Sequence, residues 1–253
     1  MKRMSFVFGR VLLVAITLVS TLSLHSCWDD DDNYYYYPGW LPNALVTAKT
    51  GVDTGFFLQL DDSTTLLPVN MKTSPFGDKE VRALVNFSET DEPGGSFSRA
   101  VYINWIDSIL TKPIAANLGE ENDSVYGTDP VEIVNDWVTI AEDGYLTLRF
   151  RTIWGNTGQA HFVNLVSTHN ADNPYELEFR HNAYGDLAGE YADGLVAFKL
   201  DSLPDTQGQT VKLKLKWQSF SGEKTAEFDY CTRRSVNPVS PEVTAVRSRL
   251  NLK

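Results

Sequence analysis

Residues 142–151 read Glu142-Asp143-Gly144-Tyr145-Leu146-Thr147-Leu148-Arg149-Phe150-Arg151. An Asp-Gly pair suited to a tight hairpin turn is followed by strict alternation. Leu146, Leu148 and Phe150 share one parity, continued by Trp154, and Thr147, Arg149 and Arg151 share the other. Side chains alternate across a strand, so this pattern predicts one buried and one wet face. The same signature recurs outward from this point. Val211, Leu213, Leu215 and Trp217 oppose Lys212, Lys214 and Lys216, and Tyr175, Leu177 and Phe179 oppose Glu176 and Glu178. Phe162–Val166, Val196/Phe198/Leu200 and Ala226/Phe228/Tyr230 complete the set. Repeated short strands without a helical period predict an antiparallel β-sandwich over residues 128–234.

Upstream, the punctuation is denser. Candidate strands Leu45–Lys49, Phe56–Leu60, Thr65–Val69, Glu80–Ser88 and Ala100–Ile109 are separated by Gly51, Gly55, Pro68, Gly77 and Pro93-Gly94-Gly95. In the fourth, Val81, Ala83, Val85 and Phe87 lie opposite Arg82 and Asn86. Five strands in about 70 residues suit a small OB-like β-barrel over residues 43–115. Lys112 to Asp129, rich in Gly, Asn and acids, reads as the connection between the two domains. The expected fold class is therefore all-β, a small OB-like barrel followed by an antiparallel sandwich. Ser235–Lys253, with two prolines and little apolar pattern, reads as a flexible tail.

The N-terminus has a different logic. Lys2, Arg3 and Arg10 precede an apolar run from Val11 to Leu24, and Leu24-His25-Ser26-Cys27 closes it. That run is shorter than the roughly 20 residues of a bilayer span, so residues 1–26 read as a removable export signal. The closing four residues resemble the lipobox of bacterial lipoproteins, with His25 a departure from the usual small or apolar residue. The resemblance implies lipidation of Cys27, whose acyl chains would tether the protein to a membrane. Trp28-Asp29-Asp30-Asp31-Asp32 then resembles the surface-export signal of lipoproteins in some Gram-negative anaerobes. Residues 27–42, which include Tyr34-Tyr35-Tyr36-Tyr37-Pro38-Gly39-Trp40, form an acidic and aromatic linker.

Several segments in one order carry a wider resemblance. They are Cys27-Trp28-Asp29-Asp30-Asp31-Asp32, Ile103-Asn104-Trp105-Ile106-Asp107-Ser108-Ile109-Leu110-Thr111-Lys112, Asp143-Gly144-Tyr145-Leu146-Thr147-Leu148-Arg149-Phe150, His161-Phe162-Val163-Asn164-Leu165-Val166 and Leu177-Glu178-Phe179-Arg180-His181-Asn182-Ala183. From Cys27 to about Arg233 the chain resembles the NigD-like lipoproteins. The resemblance implies an N-terminal OB-like domain, a C-terminal β-sandwich and a link to bacteriocin systems. It brings no catalytic residues to carry over.

Composition narrows the chemistry. With 42% hydrophobic and 22% charged residues, the chain is of ordinary globular composition. Its formal charge is −11, and residues 1–26 hold three basic residues and no acid, so the mature chain stands at −14. Such a surface repels phosphate backbones, and no nucleic-acid partner is expected. If Cys27 carries lipid, Cys231 is a lone thiol with no histidine beside it in sequence, which suits packing better than nucleophilic catalysis.

Among the histidines of the mature chain, His161 shares parity with Val163 and Leu165, and His181 continues the parity of Leu177 and Phe179. If those strands pair, His161 and His181 approach, with Asp186 or Glu190 near. That set could bind a ligand or a metal, or it could be a structural polar cluster; no close metal-ligand spacing supports the metal. Glu176 and Glu178, two apart on a wet face, pair more simply with the facing lysines than they would perform glycosidase acid/base work. No G-x-S-x-G elbow, phosphate loop or C-x-x-C occurs. The sequence thus predicts no catalytic residues and no cofactor. It predicts an outer-membrane lipoprotein exposed at the cell surface, a non-catalytic binding protein whose partner is an envelope protein, a bacteriocin or a glycan. A glycan-binding or glycan-hydrolysing accessory role is the alternative.

Overall fold

Two sets of strands bury two separate cores, and a third, smaller core joins them. The structure, a computed structural model, is described here for residues 41–155 and 157–233. The signal segment, Cys27, nearly all of the linker and the C-terminal tail lie outside the described residues.

The first set comprises β1 (Ala44–Gly51), β2 (Gly55–Gln59), β3 (Thr65–Pro68), β4 (Val81–Glu89) and β5 (Arg99–Ser108), closed in the order β1-β2-β3-β5-β4. All pairs are antiparallel except β3 with β5. Ala83 and Val85, with Val81 and Phe87 packed behind, face an interior filled by Val46, Leu58, Leu66, Val101 and Ile103. Closing the sheet leaves no exposed edge, which is the arrangement of an OB-type barrel.

The second set forms two packed sheets. One contains β10 (Phe162–Ser167), β11 (Glu176–Asn182), β13 (Val211–Ser219) and β14 (Gly222–Tyr230) in the order β10-β11-β13-β14. The other contains β6 (Leu110–Pro113), β12 (Glu190–Lys199), β9 (Tyr145–Trp154) and β7 (Glu132–Val134), with β8 (Ile140–Glu142) also on β9. Between them lie Leu146, Leu148, Phe150, Leu177, Phe179, Val196, Phe198, Leu213, Leu215 and Trp217, the apolar parities of the sequence. Burying side chains of this size stabilises the fold by about 1.5–3 kcal/mol each. Asp143 and Gly144, both at positive φ, form the two-residue turn between β8 and β9. Two pairings, β11 with β13 and β12 with β6, run parallel, an addition that alternation alone cannot reveal.

The segment read as an inter-domain connection is not one. Leu110–Pro113 is a sandwich strand, so Ile109 alone separates the last barrel strand from the first sandwich strand. A 3₁₀ turn (Gly119–Glu121) and one short helix, α1 (Asn122–Tyr126), follow it. Both domains fall within one compact unit. Their junction buries Ile109 with Leu45, Val138, Tyr145 and Ala197, and Leu84, Trp137, Ile140 and Leu195 pack around them. The face of β4 opposite the barrel core is therefore covered by the sandwich. Arg82 is 0% exposed, as is Thr147 on the supposedly wet face of β9.

The junction is polar as well as apolar. Arg82 donates to Thr47 Oγ1 at 3.0 Å and meets Glu142 at 3.5 Å. Lys49 pairs with Asp143 at 2.8 Å, and the Asp143 N–H donates to Asp62 at 2.7 Å. The Tyr145 hydroxyl and Arg233 both donate to Glu80 at 2.6 Å. The tip of the β8–β9 hairpin is thus held against the barrel by paired charges.

Candidate functional site

Strand β9 begins at this junction and ends at Trp154, about 30 Å away at 3.3 Å per residue. At that far end the starts of β10, β12 and β14 meet the ends of β9, β11 and β13. His181 lies near the end of β11, opposite Val163, and His161 just precedes β10. Asn182-Ala183-Tyr184-Gly185-Asp186 turns back. Asn182 Oδ1 accepts the Tyr184 N–H, the Asp186 N–H donates to the Ala183 carbonyl, and Tyr184 and Gly185 take positive φ. The turn delivers the Asp186 carboxylate beneath Gly155, whose N–H donates to it at 3.1 Å. Gly155 is required there, since a Cβ would lie 2.2 Å from Asp186 Oδ1.

The structure brings His161, His181 and Asp186 into one line. Asp186 Oδ2 lies 3.2 Å from His161 Nε2, and His161 Nδ1 lies 2.9 Å from His181 Nε2. The Trp154 ring stacks on His161 with centroids 3.8 Å apart. The His161 side chain is 0% exposed. Glu190, the other carboxylate considered, sits across the ladder from Trp154 and is exposed. Among the described residues, no group of three His, Cys, Asp or Glu side chains is placed to hold a metal ion.

Charge fixes the protons in this line. Hydrogen bonds from Thr157, and with them those from His161 and Gly155, hold the Asp186 carboxyl below its ordinary range, so it is ionised at neutral pH. An ionised carboxylate only accepts, so His161 Nε2 carries a hydrogen. The contact between His161 Nδ1 and His181 Nε2 holds one hydrogen between the two rings. Burial, and after it the neighbouring His161, push His181 down to about 4, so the second proton is absent at neutral pH. A hydrogen bond with the Asp129 backbone acts the other way and favours the protonated ring.

Sequence reasoning missed what lies beyond His181. The parallel pair β11–β13 ends at Phe179↔Trp217. Past it the strands part, and the segment after α1 wedges between them. The Asp129 N–H donates to the His181 carbonyl and the Val131 N–H to the Gln218 carbonyl. A cleft of about 100 Å³ opens at the wedge, lined by Gly127, Asp129, Glu178, Arg180, His181 and Trp217 among others. Arg180 Nε and Trp217 Nε1 are buried without a hydrogen-bond partner among the described residues. Trp217 had only the alternation of a core residue, and Arg180 that of a solvated strand face. Neither pattern signals a cleft made by a non-local wedge.

The remaining candidates are structural. Glu176, expected on a wet face, is 7% exposed and bonded to Lys214 at 3.0 Å and to Thr168 at 3.1 Å. Glu178 pairs with Arg180, 3.0 Å away. Cys231, half-buried just after β14, contacts the Thr206 hydroxyl at 3.6 Å.

Comparison with known proteins agrees with this architecture. Residues 45–109 match the profile of the NigD-like N-terminal OB domain, and residues 113–230 that of the NigD-like C-terminal beta sandwich domain. A solved structure from Parabacteroides distasonis, described as toxin-related, is 41% identical. The match covers 75% of this chain and 92% of that one, with a TM-score of 0.63. The chain belongs to the NigD-like family. A Bacteroides vulgatus protein of unknown function is 24% identical over 79% of this chain and 94% of its own, with a TM-score of 0.61. A NigD-like immunity protein from Bacteroides caccae is 20% identical over 74% and 96%, with a TM-score of 0.54. At those identities these two share the fold. No functionally curated protein matches the chain. Among the described residues no helix is long and apolar enough to cross a membrane.

Proposed function

We propose that this NigD-like protein is a non-catalytic binding protein, tethered through a lipidated Cys27 to the outer membrane and exposed at the cell surface. The observation that supports it most is the state of the histidine line. His161 and Asp186 are hydrogen-bonded to each other and closed off under Trp154. A general base must reach the proton it abstracts, and these side chains are 0% and 2% exposed, so neither is open to a substrate. The 41% identical relative described as toxin-related, together with the family's bacteriocin link, supports a toxin or another envelope protein as partner. The lipobox-like Leu24-His25-Ser26-Cys27 and the tetra-Asp run support the location.

Cross-linking on intact cells, followed by capture of the tagged full chain from the outer membrane, tests the reading. One partner enriched with the native protein and lost after Cys27→Ser, which releases the protein from the membrane fraction, is the expected outcome. Membrane retention of Cys27→Ser, or turnover of an envelope substrate by the purified protein, would overturn it.

A further inference from the structure

Strand β14 is a long open edge. It runs for nine residues and, among the described strands, pairs with β13 alone. The two-residue turn Phe220-Ser221 makes Ser219↔Gly222 a hydrogen-bonded pair, so residues 222, 224, 226, 228 and 230 direct their backbone groups at β13. The N–H and C=O groups of Glu223, Thr225, Glu227 and Asp229 therefore point away from the sheet, with no backbone partner among the described residues. The opposite edge of the same sheet is covered. There the Ala115 N–H donates to the Leu165 carbonyl at 2.7 Å, Lys112 Nζ to the Val163 carbonyl at 2.6 Å and Asn117 Nδ2 to the Ser167 carbonyl at 2.7 Å. In the facing sheet the edge strands β6 and β7 have only four and three residues. A long uncovered edge is a template for one more strand.

Side chains select which strand. Across the outer face charge runs in rows. Glu176 and Glu178 lie on β11, Lys212, Lys214 and Lys216 on β13, then Glu223, Glu227 and Asp229 on β14. Lys214 is bonded to Glu176 at 3.0 Å on one side, and Glu227 on its other side makes no ion pair among the described residues. Asp229 and Glu223 meet Lys212 and Lys216, but their side chains stay 68% and 63% exposed. The next row in this order is basic. A second copy of β14 would set acid against acid, which disfavours edge-to-edge pairing of two chains. On the inner face Ala226 and Phe228 are half-buried at the rim of the sandwich core, as are Ile133 and Ala141 of the facing sheet. Lys224 reaches across that rim to Glu132 at 2.9 Å. An added strand with apolar residues at alternate positions would seal it.

We propose that the free edge of β14 is the surface on which this protein takes its partner, by adding an extended peptide segment whose alternate residues are Lys or Arg. The basic residues face Glu223, Glu227 and Asp229, and the residues between them face Ala226 and Phe228. The proposal deepens the reading as a binding protein and rests on it.

The test uses the full mature chain carrying Cys27→Ser. Fluorescent peptides as long as β14 are titrated: one alternating Arg with Val and Thr, the same peptide with Glu for Arg, and a scrambled one of the first composition. Anisotropy should show saturable binding of the first, with the other two at least about tenfold weaker, as several cross-strand charge pairs and a matched period require. Backbone amides of Thr225, Glu227 and Asp229 should exchange fast in the free chain and become protected by the basic peptide. Thr225→Pro removes an outward N–H while leaving the β13 ladder intact, since an edge strand tolerates Pro on its solvent side. It should weaken binding about tenfold or more with the melting temperature little changed, and Thr225→Val should bind as wild type. Should Thr225→Pro fail to fold, Glu227→Lys serves in its place and should shift the preference toward the acidic peptide. Equal binding of all three peptides, or protection mapping elsewhere, would overturn the proposal. So would edge amides already protected in the free chain, which would mean that this chain's own C-terminal segment or a second copy holds the edge. Cell-surface capture of a partner that persists in Thr225→Pro removes this surface alone, whereas no partner captured by the native protein removes the binding reading itself.

Discussion

The sandwich has a buried polar cluster at each end, and the two are built on opposite terms. At the barrel end, charges meet charges: Arg82 with Glu142, Lys49 with Asp143, Arg233 with Glu80. The Arg82, Lys199 and Arg233 cations also lie about the Tyr145 ring, 5.8–6.0 Å from its centre. At the far end, one carboxylate leads a line of two imidazoles stacked under Trp154. Matched charges suit a junction that holds two domains in one register. A single carboxylate facing two rings makes the far end the acid-sensitive one.

The largest effect should come from breaking the matched end. Arg82→Ala removes the cation between barrel and sandwich and leaves Glu142 beside Asp61, Asp62 and Asp143. Orphaning a buried charge costs about 3–5 kcal/mol, so urea unfolding should show a loss of that order. A loss below about 1 kcal/mol, the size of an exposed pair, would mean the junction does not depend on this residue.

Acid should act next, through the unmatched end. His181 sits at about 4 in the fold against an ordinary 6.5, so the unfolded chain takes up the proton first. The groups around it are His161, Asp129, the Phe150 ring and, through His161, Asp186. Its contribution is complete above about pH 6.5 and is lost as pH falls through 4, by up to about 3 kcal/mol. Unfolding midpoints across this range in wild type and His181→Gln check it, the variant having the flatter profile. Glu142 gives the opposite slope. Burial, opposed by Arg82, pushes it up to about 7, so its contribution is present below about 4.5 and lost as pH rises through 7. Glu142→Gln should flatten that decline, and an unchanged alkaline limb would remove Glu142 as its source.

A smaller effect is expected of Asp186→Asn, which keeps the shape and removes the charge. The amide can donate to His161 Nε2, which then loses its hydrogen, and imidazole ¹⁵N spectra would detect the change. Smallest of all, Glu89→Ala breaks the exposed 2.7 Å pair with Arg99 on the barrel and should change stability by less than about 1 kcal/mol.

Much of this was legible from residues. Alternation placed Leu146, Leu148, Phe150, Leu213 and Leu215 on the sandwich core, and Asp143-Gly144 in its turn. Strand parity brought His161 and His181 together if their strands paired, with Asp186 or Glu190 as the carboxylate; the structure places Asp186 there. What escaped has a common physical cause, that period and polarity say nothing about which surfaces meet. Arg82 and Thr147 look solvated in sequence yet are sealed where barrel meets sandwich. Lys112 and Pro113 read as the start of a linker because the partner of their strand, β12, is about 86 residues away. The cleft exists only because residues 127–131 enter between strands that pair in parallel, and no local pattern encodes that.

The most direct test is a long-range ¹H–¹⁵N spectrum of the imidazoles in the wild-type protein at neutral pH. His161 Nε2 should carry a hydrogen toward Asp186, and His181 should carry only one. A bare His161 Nε2, or a doubly protonated His181, would contradict the contrast between the two ends.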